Sequence, residues 1–148
     1  MNSSRLDIRE EFIALDTNEF HFALRRDDRY PACAKLLFER ALDLRLHVPL
    51  QVLKELHRRL RQGDVRKIFD ALESARECRF DYSPGDAERV KYREQQGARK
   101  GDAVIIAQMQ AAAVPFLVSE NRHFLSEVPN LPFEVLTAEE ALLRLDSN

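Results

Sequence analysis

Asp16 stands directly behind the apolar run Phe12–Leu15 and directly before Thr17 and Asn18. An acid at the end of a strand has two readings. It caps the helix that follows, as Asp commonly does, or it holds a ligand or does chemistry at the mouth of a sheet. Thr17 and Asn18 are themselves good caps, so Asp16 is surplus to that task. Asp102, in RKGDAVIIAQ, opens the most apolar helical segment of the chain. It can cap that helix. Equally, a carboxylate there is kept ionised by the dipole and the free N–H groups, the form a divalent cation requires.

Glu55 lies on a helix whose core face reads as Leu53, Leu56 and Leu60, with Glu55 off that face beside Val52 and Arg59. Its default is a solvated pair with Arg59 at i, i+4, contributing about 0.3–0.5 kcal/mol. Glu120 and Asn121 follow the apolar PFLV run. Asn121 can cap a short turn over RHFL, Glu120 can simply be exposed, and His123 suits local packing better than a base. No Ser–His–Asp or Cys–His arrangement can be assembled, and none of the four glycines builds a phosphate-cradling loop.

The elements that must position these residues alternate. FIALD and LRLHV read as strands, CRFDY as a weaker one, and PFLVS and FEVL as two more. Between them, Pro31 opens PACAKLLFERAL as a helix. A second helix runs from Pro49 to about Leu60, with Gly63 as its stop, and Asp64 caps a third, DVRKIFDALESAR. A fourth starts at Ser83-Pro84 and ends near Gly97, and DAVIIAQMQAAA is apolar on nearly every side and therefore buried. Thr137 with Glu140 forms a capping box for the last helix. Strands separated by helices, without strand–turn–strand signals, imply crossovers and a parallel sheet covered on both faces. The fold class is α/β, a three-layer α/β/α arrangement with about five parallel strands. Ligands in such sheets collect at the carboxyl ends of the strands, which puts Asp16 and Ser119-Glu120-Asn121 on one rim.

Bulk properties narrow the function. The 148 residues suit one domain, 11–148, behind a polar extension at 1–10. A net charge of −2 argues against holding nucleic acid by overall charge, although a local basic surface remains open to it. Arg58, Arg59, Arg61, Arg66 and Lys67 form the densest basic patch. Most of these read as solvated helix faces, with one or two available to guide an RNA backbone. Cys33 and Cys78 have neither metal-ligand spacing nor the density of a secreted scaffold, which favours a reducing, cytoplasmic setting. The segment MNSSRLDIREEF lacks the apolar stretch of a signal peptide, and no run is long enough to span a bilayer.

The ordered set LDTN, LKEL, KGDAVIIAQ and LVSENRHFL resembles the PIN domain, nearest in pattern to the VapC-type ribonuclease toxins of bacterial toxin–antitoxin pairs. The resemblance runs from about Phe12 to Leu145. It implies a metal-dependent endoribonuclease with an acidic pocket at the strand ends. Asp16 matches the first acid, Glu55 the helical second and Asp102 the third. Ser119 matches the family's hydroxyl, but Asn121 stands where a fourth acid is often found, with Glu120 beside it. The implied cofactor is Mg²⁺ or Mn²⁺, an ion that prefers oxygen donors. Asp16 and Asp102 are the primary ligands, Glu55 orients a water or serves as general base, and Glu120 and Asn121 complete the candidate metal set. Thr17, Asn18, Ser119, Asn121 and Arg122 are the candidate substrate contacts. The implied partners are an RNA substrate, a second copy in a homodimer, and a cognate antitoxin that occludes the pocket. Two other readings stand beside this one. A non-catalytic binding module draws on the Asn121 departure. A phosphatase with an aspartyl nucleophile needs a second acid two residues on, where this chain has Asn18.

Overall fold

The computed structural model describes residues 6–121 and 128–147. Five strands, β1 (Phe12–Leu15), β2 (Arg45–Val48), β3 (Glu77–Phe80), β4 (Phe116–Val118) and β5 (Glu134–Leu136), form one parallel sheet in the order β3-β2-β1-β4-β5. The short apolar runs become strands because both faces are covered. Ile13, Ala14, Leu46, Phe116, Leu117 and Val118 are all buried, as a sheet between two helical layers requires.

Among the described residues the α-helices are α1 (Thr17–Arg25), α2 (Pro31–Ala34), α3 (Leu50–Arg59), α4 (Gln62–Glu73), α5 (Ala87–Gln95), α6 (Lys100–Ala111) and α7 (Ala138–Asp146). α6 packs on α5 and α3, while α2 packs on α1 and α7. This is the expected three-layer α/β/α arrangement. Ile8, within the polar extension, is buried in the common core. Among the described residues no helix is long and apolar enough to cross a membrane.

Several boundaries differ from the sequence reading. The helix opened by Pro31 is α-helical only to Ala34, then widens into a π-helical turn over Lys35–Glu39. That wider turn brings successive side chains closer in angle, and the adjacent Leu36 and Leu37 both enter the core. Gly63 does not stop α3. Leu60 is already extended, and Gly63 lies inside α4, whose N-cap is Arg61 rather than Asp64. The helix after β3 begins at Ala87, where the Asp86 carboxylate accepts from the Glu88 N–H, and not at Ser83-Pro84. The Thr137–Glu140 capping box forms as expected.

The strand order decides where a site can lie. From β1 the chain winds outward through β2 and β3, then crosses back to place β4 on the other side of β1. The switch point is therefore the crevice between the carboxyl ends of β1 and β4, where open α/β sheets receive their ligands.

Candidate active site

Asp16 sits in that crevice. Its N–H donates to the Val118 carbonyl at 2.9 Å, which continues the β1–β4 ladder by one residue. Asp16 is only 6% exposed. The Thr17 N–H donates to Asp16 Oδ1 and the Ser119 hydroxyl donates to Oδ2, each at 2.8 Å. Asp16 is thus the N-cap of α1, a correction to the expectation that Thr17 or Asn18 would cap in its place. The Thr17 side chain is engaged elsewhere and Asn18 points into solvent. Capping and site membership coexist because the two carboxylate oxygens take different donors. Burial is the main cause that lifts the Asp16 carboxyl to a pKa of about 6. The Ser119 hydroxyl opposes it, the charge of Asp102 adds to it, the Thr17 N–H opposes it, and Glu55 adds a smaller push upward.

Glu55 is held by two donors, the Thr17 hydroxyl on Oε1 at 2.5 Å and the Gln51 amide on Oε2 at 3.2 Å. The solvated pair with Arg59 is absent among the described residues. The reason is a rotated wheel. Val52 and Leu56 are the buried positions of α3, and Leu53 and Leu60 are only half-buried, so Glu55 faces α1 and α6. Gly101 makes room for it: a Cβ there would lie 3.0 Å from Glu55 Oε2. The start of α3 is tied to α6 by Gln108, whose Oε1 accepts from the Gln51 N–H at 2.9 Å while its amide donates to the Pro84 carbonyl at 3.1 Å.

Asp102 lies in the first turn of α6 and is not its cap, a place taken by Arg99. The Asn121 side-chain amide reaches Asp102 Oδ2 at 3.5 Å, and the Asn121 N–H donates to the Ser119 hydroxyl at 3.0 Å. A continuous chain of contacts therefore runs Asp102–Asn121–Ser119–Asp16, with Glu55 reaching in through Thr17. Thr17 and Ser119, anticipated as substrate contacts, are both buried and spend their hydroxyls on carboxylates.

Glu120 is turned the other way. Its Oε2 accepts from the Ala138 N–H at 3.0 Å, and its carboxylate meets Glu19 and Cys33. Arg122 and His123 lie outside the described residues. Glu19, Gln51, Gly101 and Gln108 escaped the sequence reading. Glu19 follows Asp16 by three residues, the spacing of a capping-box acid, and that spacing disguises it. Gln51, Gly101 and Gln108 give no local signal. Cys33 lacks metal-ligand spacing to Cys78 in the sequence, and its neighbours in the fold are Glu19 and Glu120 instead.

The PIN domain family matches residues 13–130 of this chain. Among curated proteins, none matches it. Solved structures that share its fold include these two. One is VapBC2 from Rickettsia felis, bound to a DNA fragment from its promoter; it is 22% identical, covers 84% of this chain and 98% of its own, and has a TM-score of 0.58. The other is PAE2754 from Pyrobaculum aerophilum, 15% identical, covering 95% of this chain and 92% of its own, with a TM-score of 0.55. At those identities the likeness speaks for the fold alone. The family match, by contrast, spans the acid behind β1, the acid on α3 and the acid opening α6, and by it the chain belongs to the PIN domain family.

Proposed function

We propose that this chain is a metal-dependent endoribonuclease, the toxin of a toxin–antitoxin pair, with Asp16, Glu55 and Asp102 as its working acids. One observation carries the reading. Asp16 is buried at the switch point with its pKa raised by burial and by the charges of Asp102 and Glu55, and neither Asp16 nor Glu55 enters an ion pair among the described residues. Acids kept together in this way hold a proton or a cation.

The donor set fits Mg²⁺ or Mn²⁺, since carboxylate oxygens are the ligands these ions select. Asp16 and Asp102 would hold the ion, and Asn121 can add an amide oxygen. When bound, such an ion supplies charge stabilisation at the scissile phosphate and a nucleophile near neutral pH. The chain's own residues do the rest. Ser119 and the Thr17 N–H fix the Asp16 carboxylate with both oxygens oriented. Glu55, steadied by Thr17 and Gln51, accepts the proton of the attacking water. Arg58, Arg59, Arg61, Arg66 and Lys67 are exposed on α3, α4 and the turn between them; most serve as solvated helix faces, and one or two are available to guide an RNA backbone. The Rickettsia felis likeness supports a cognate antitoxin as partner and, with it, a cytoplasmic setting; a homodimer belongs to the same proposal.

The test is cleavage of a panel of single-stranded RNAs with Mn²⁺ or Mg²⁺, with chelator and with Asp16→Asn. Cleavage lost in both controls is the expected result. Folded protein that neither cuts RNA nor shows an ion-induced rise in melting temperature would overturn the reading. The non-catalytic alternative keeps one observation in its favour, Asn121 in the fourth acid's place. It predicts RNA binding without cleavage at any ion concentration.

A further inference from the structure

A second group of ligating atoms lies one turn along α1 from Asp16. Glu19 is 3% exposed, and its Oε2 has no hydrogen-bond partner. Its Oε1 accepts a long bond from the buried Cys33 thiol at 3.5 Å. Glu120 completes the group, so that one ligating atom from each of Glu19, Cys33 and Glu120 lies within 4.8 Å of the others. The three residues come from α1, from α2 and from the segment after β4. No salt bridge to Glu19 or Glu120 is present among the described residues.

We propose that Glu19, Cys33 and Glu120 form a binding site for a thiophilic divalent cation of the zinc class. An acidic cluster alone does not make a site. Here the buried Glu19 Oε2 lies in the same group, without a donor, where an unsatisfied oxygen carries the full cost of lost hydration. The donor set of one sulphur and two carboxylates selects the ion. Zn²⁺ accepts sulphur and carboxylate oxygen together in tetrahedral sites, whereas Mg²⁺ demands oxygen. Ligand lengths of ~2.0 and ~2.3 Å put tetrahedral donors roughly 3.5 Å apart. The three side chains need only close by about an ångström, within rotamer adjustment. Glu120 is half-buried, which leaves an open side for entry and for a fourth ligand.

The competing account is a proton. Burial first, and then Glu120, hold the Glu19 carboxyl well above its ordinary range, and burial does the same to the Cys33 thiol. A proton, shared between Glu19 and Glu120, neutralises one carboxylate of the pair and keeps the Cys33 thiol only as a long donor to Glu19 Oε1. A cation engages all three and ties α1, α2 and the β4 end together. Through the Ala138 N–H on Glu120 it reaches the start of α7 as well. It would then brace the Ser119–Asn121 segment on which Asp16 depends.

The experiment titrates Co²⁺ into the full chain and reads the near-ultraviolet thiolate-to-cobalt charge-transfer band. The expected result is a stoichiometric band, displaced by Zn²⁺ and not by excess Mg²⁺. Cys33→Ser should abolish it, and Glu19→Gln should weaken binding roughly tenfold or more. Asp16→Asn and Cys78→Ser should leave it intact. An all-oxygen site at Asp16 gives no such band, so the outcome is independent of whether the chain cuts RNA. No band in folded protein, or a band that survives Cys33→Ser, overturns the proposal. If Cys33→Ser does not fold, Glu19→Gln and Glu120→Gln preserve side-chain volume and decide alone; wild-type Co²⁺ affinity in both overturns it.

Discussion

The Ser119 hydroxyl donates to Asp16 Oδ2 at 2.8 Å, across the carboxyl ends of two neighbouring strands. It also accepts from the Asn121 N–H, so its proton is committed to Asp16. This bond is the strongest influence holding the Asp16 carboxyl down against burial. Removing it with Ser119→Ala should push the Asp16 pKa further above 6. The affinity for Mn²⁺ should then fall, and its pH midpoint should move upward. Isothermal titration between pH 5 and 8, about the span over which such a group titrates, would show the shift. An unchanged profile would mean that Asp16 does not govern ion binding.

Asp16→Asn separates stability from activity. The folded Asp16 has a pKa of about 6 against an ordinary 3.8, so the folded state prefers the protonated form. That favourable contribution is fully present below the unfolded value and is lost as pH rises through about 6. Above it, the buried carboxylate costs about 3 kcal/mol. Relative to the parent, Asp16→Asn without divalent ion should therefore be more favourable at pH 7.5 than below about pH 4, by up to that amount. This comes on top of a constant cost, because the amide accepts through one oxygen where Thr17 and Ser119 supply two donors. The same variant should lose both cleavage and the ion-induced rise in melting temperature. Thermal melts at the two pH values check the sign.

Gly101→Ala should trade in the same direction for a different reason. Alanine inside a helix is worth up to about 1 kcal/mol over glycine. The new methyl would stand 3.0 Å from Glu55 Oε2, tighter than an ordinary contact, so the Glu55 carboxylate must give way and its bonds to Thr17 and Gln51 are disturbed. A stable protein with cleavage reduced by roughly tenfold or more is expected, since a misplaced catalytic group is costly. Wild-type turnover in Gly101→Ala would show that the position of Glu55 does not matter.

Asn121→Asp restores an acid at the fourth position. Asn121 already reaches Asp102, so the new carboxylate would add repulsion in the ion-free protein and ligand charge in the loaded one. Lower stability without ion, tighter Mn²⁺ binding and equal or greater cleavage are expected together. A loss of cleavage would assign the amide a role of its own.

Periodicity and punctuation in the sequence determined the elements: apolar runs ending at Asp16 and Ser119, crossovers that force a parallel sheet, and the Thr137–Glu140 capping box. These are legible because each depends on neighbours within one element. The grouping of Asp16, Glu55 and Asp102 came from resemblance, since no local pattern links residues so far apart. The partners of Glu55 could not be read at all. Its helical wheel pointed to Arg59, four residues away, yet its donors are Gln51 and the distant Thr17, beside a gap left by Gly101. Glu120 and Asn121 are adjacent in sequence but diverge after β4, one toward Glu19 and Cys33 and the other toward Asp102. Only the strand order, with β1 between β2 and β4, sets which helix termini crowd the crevice. Chain order leaves that order open, because each crossover can return to either side of the sheet.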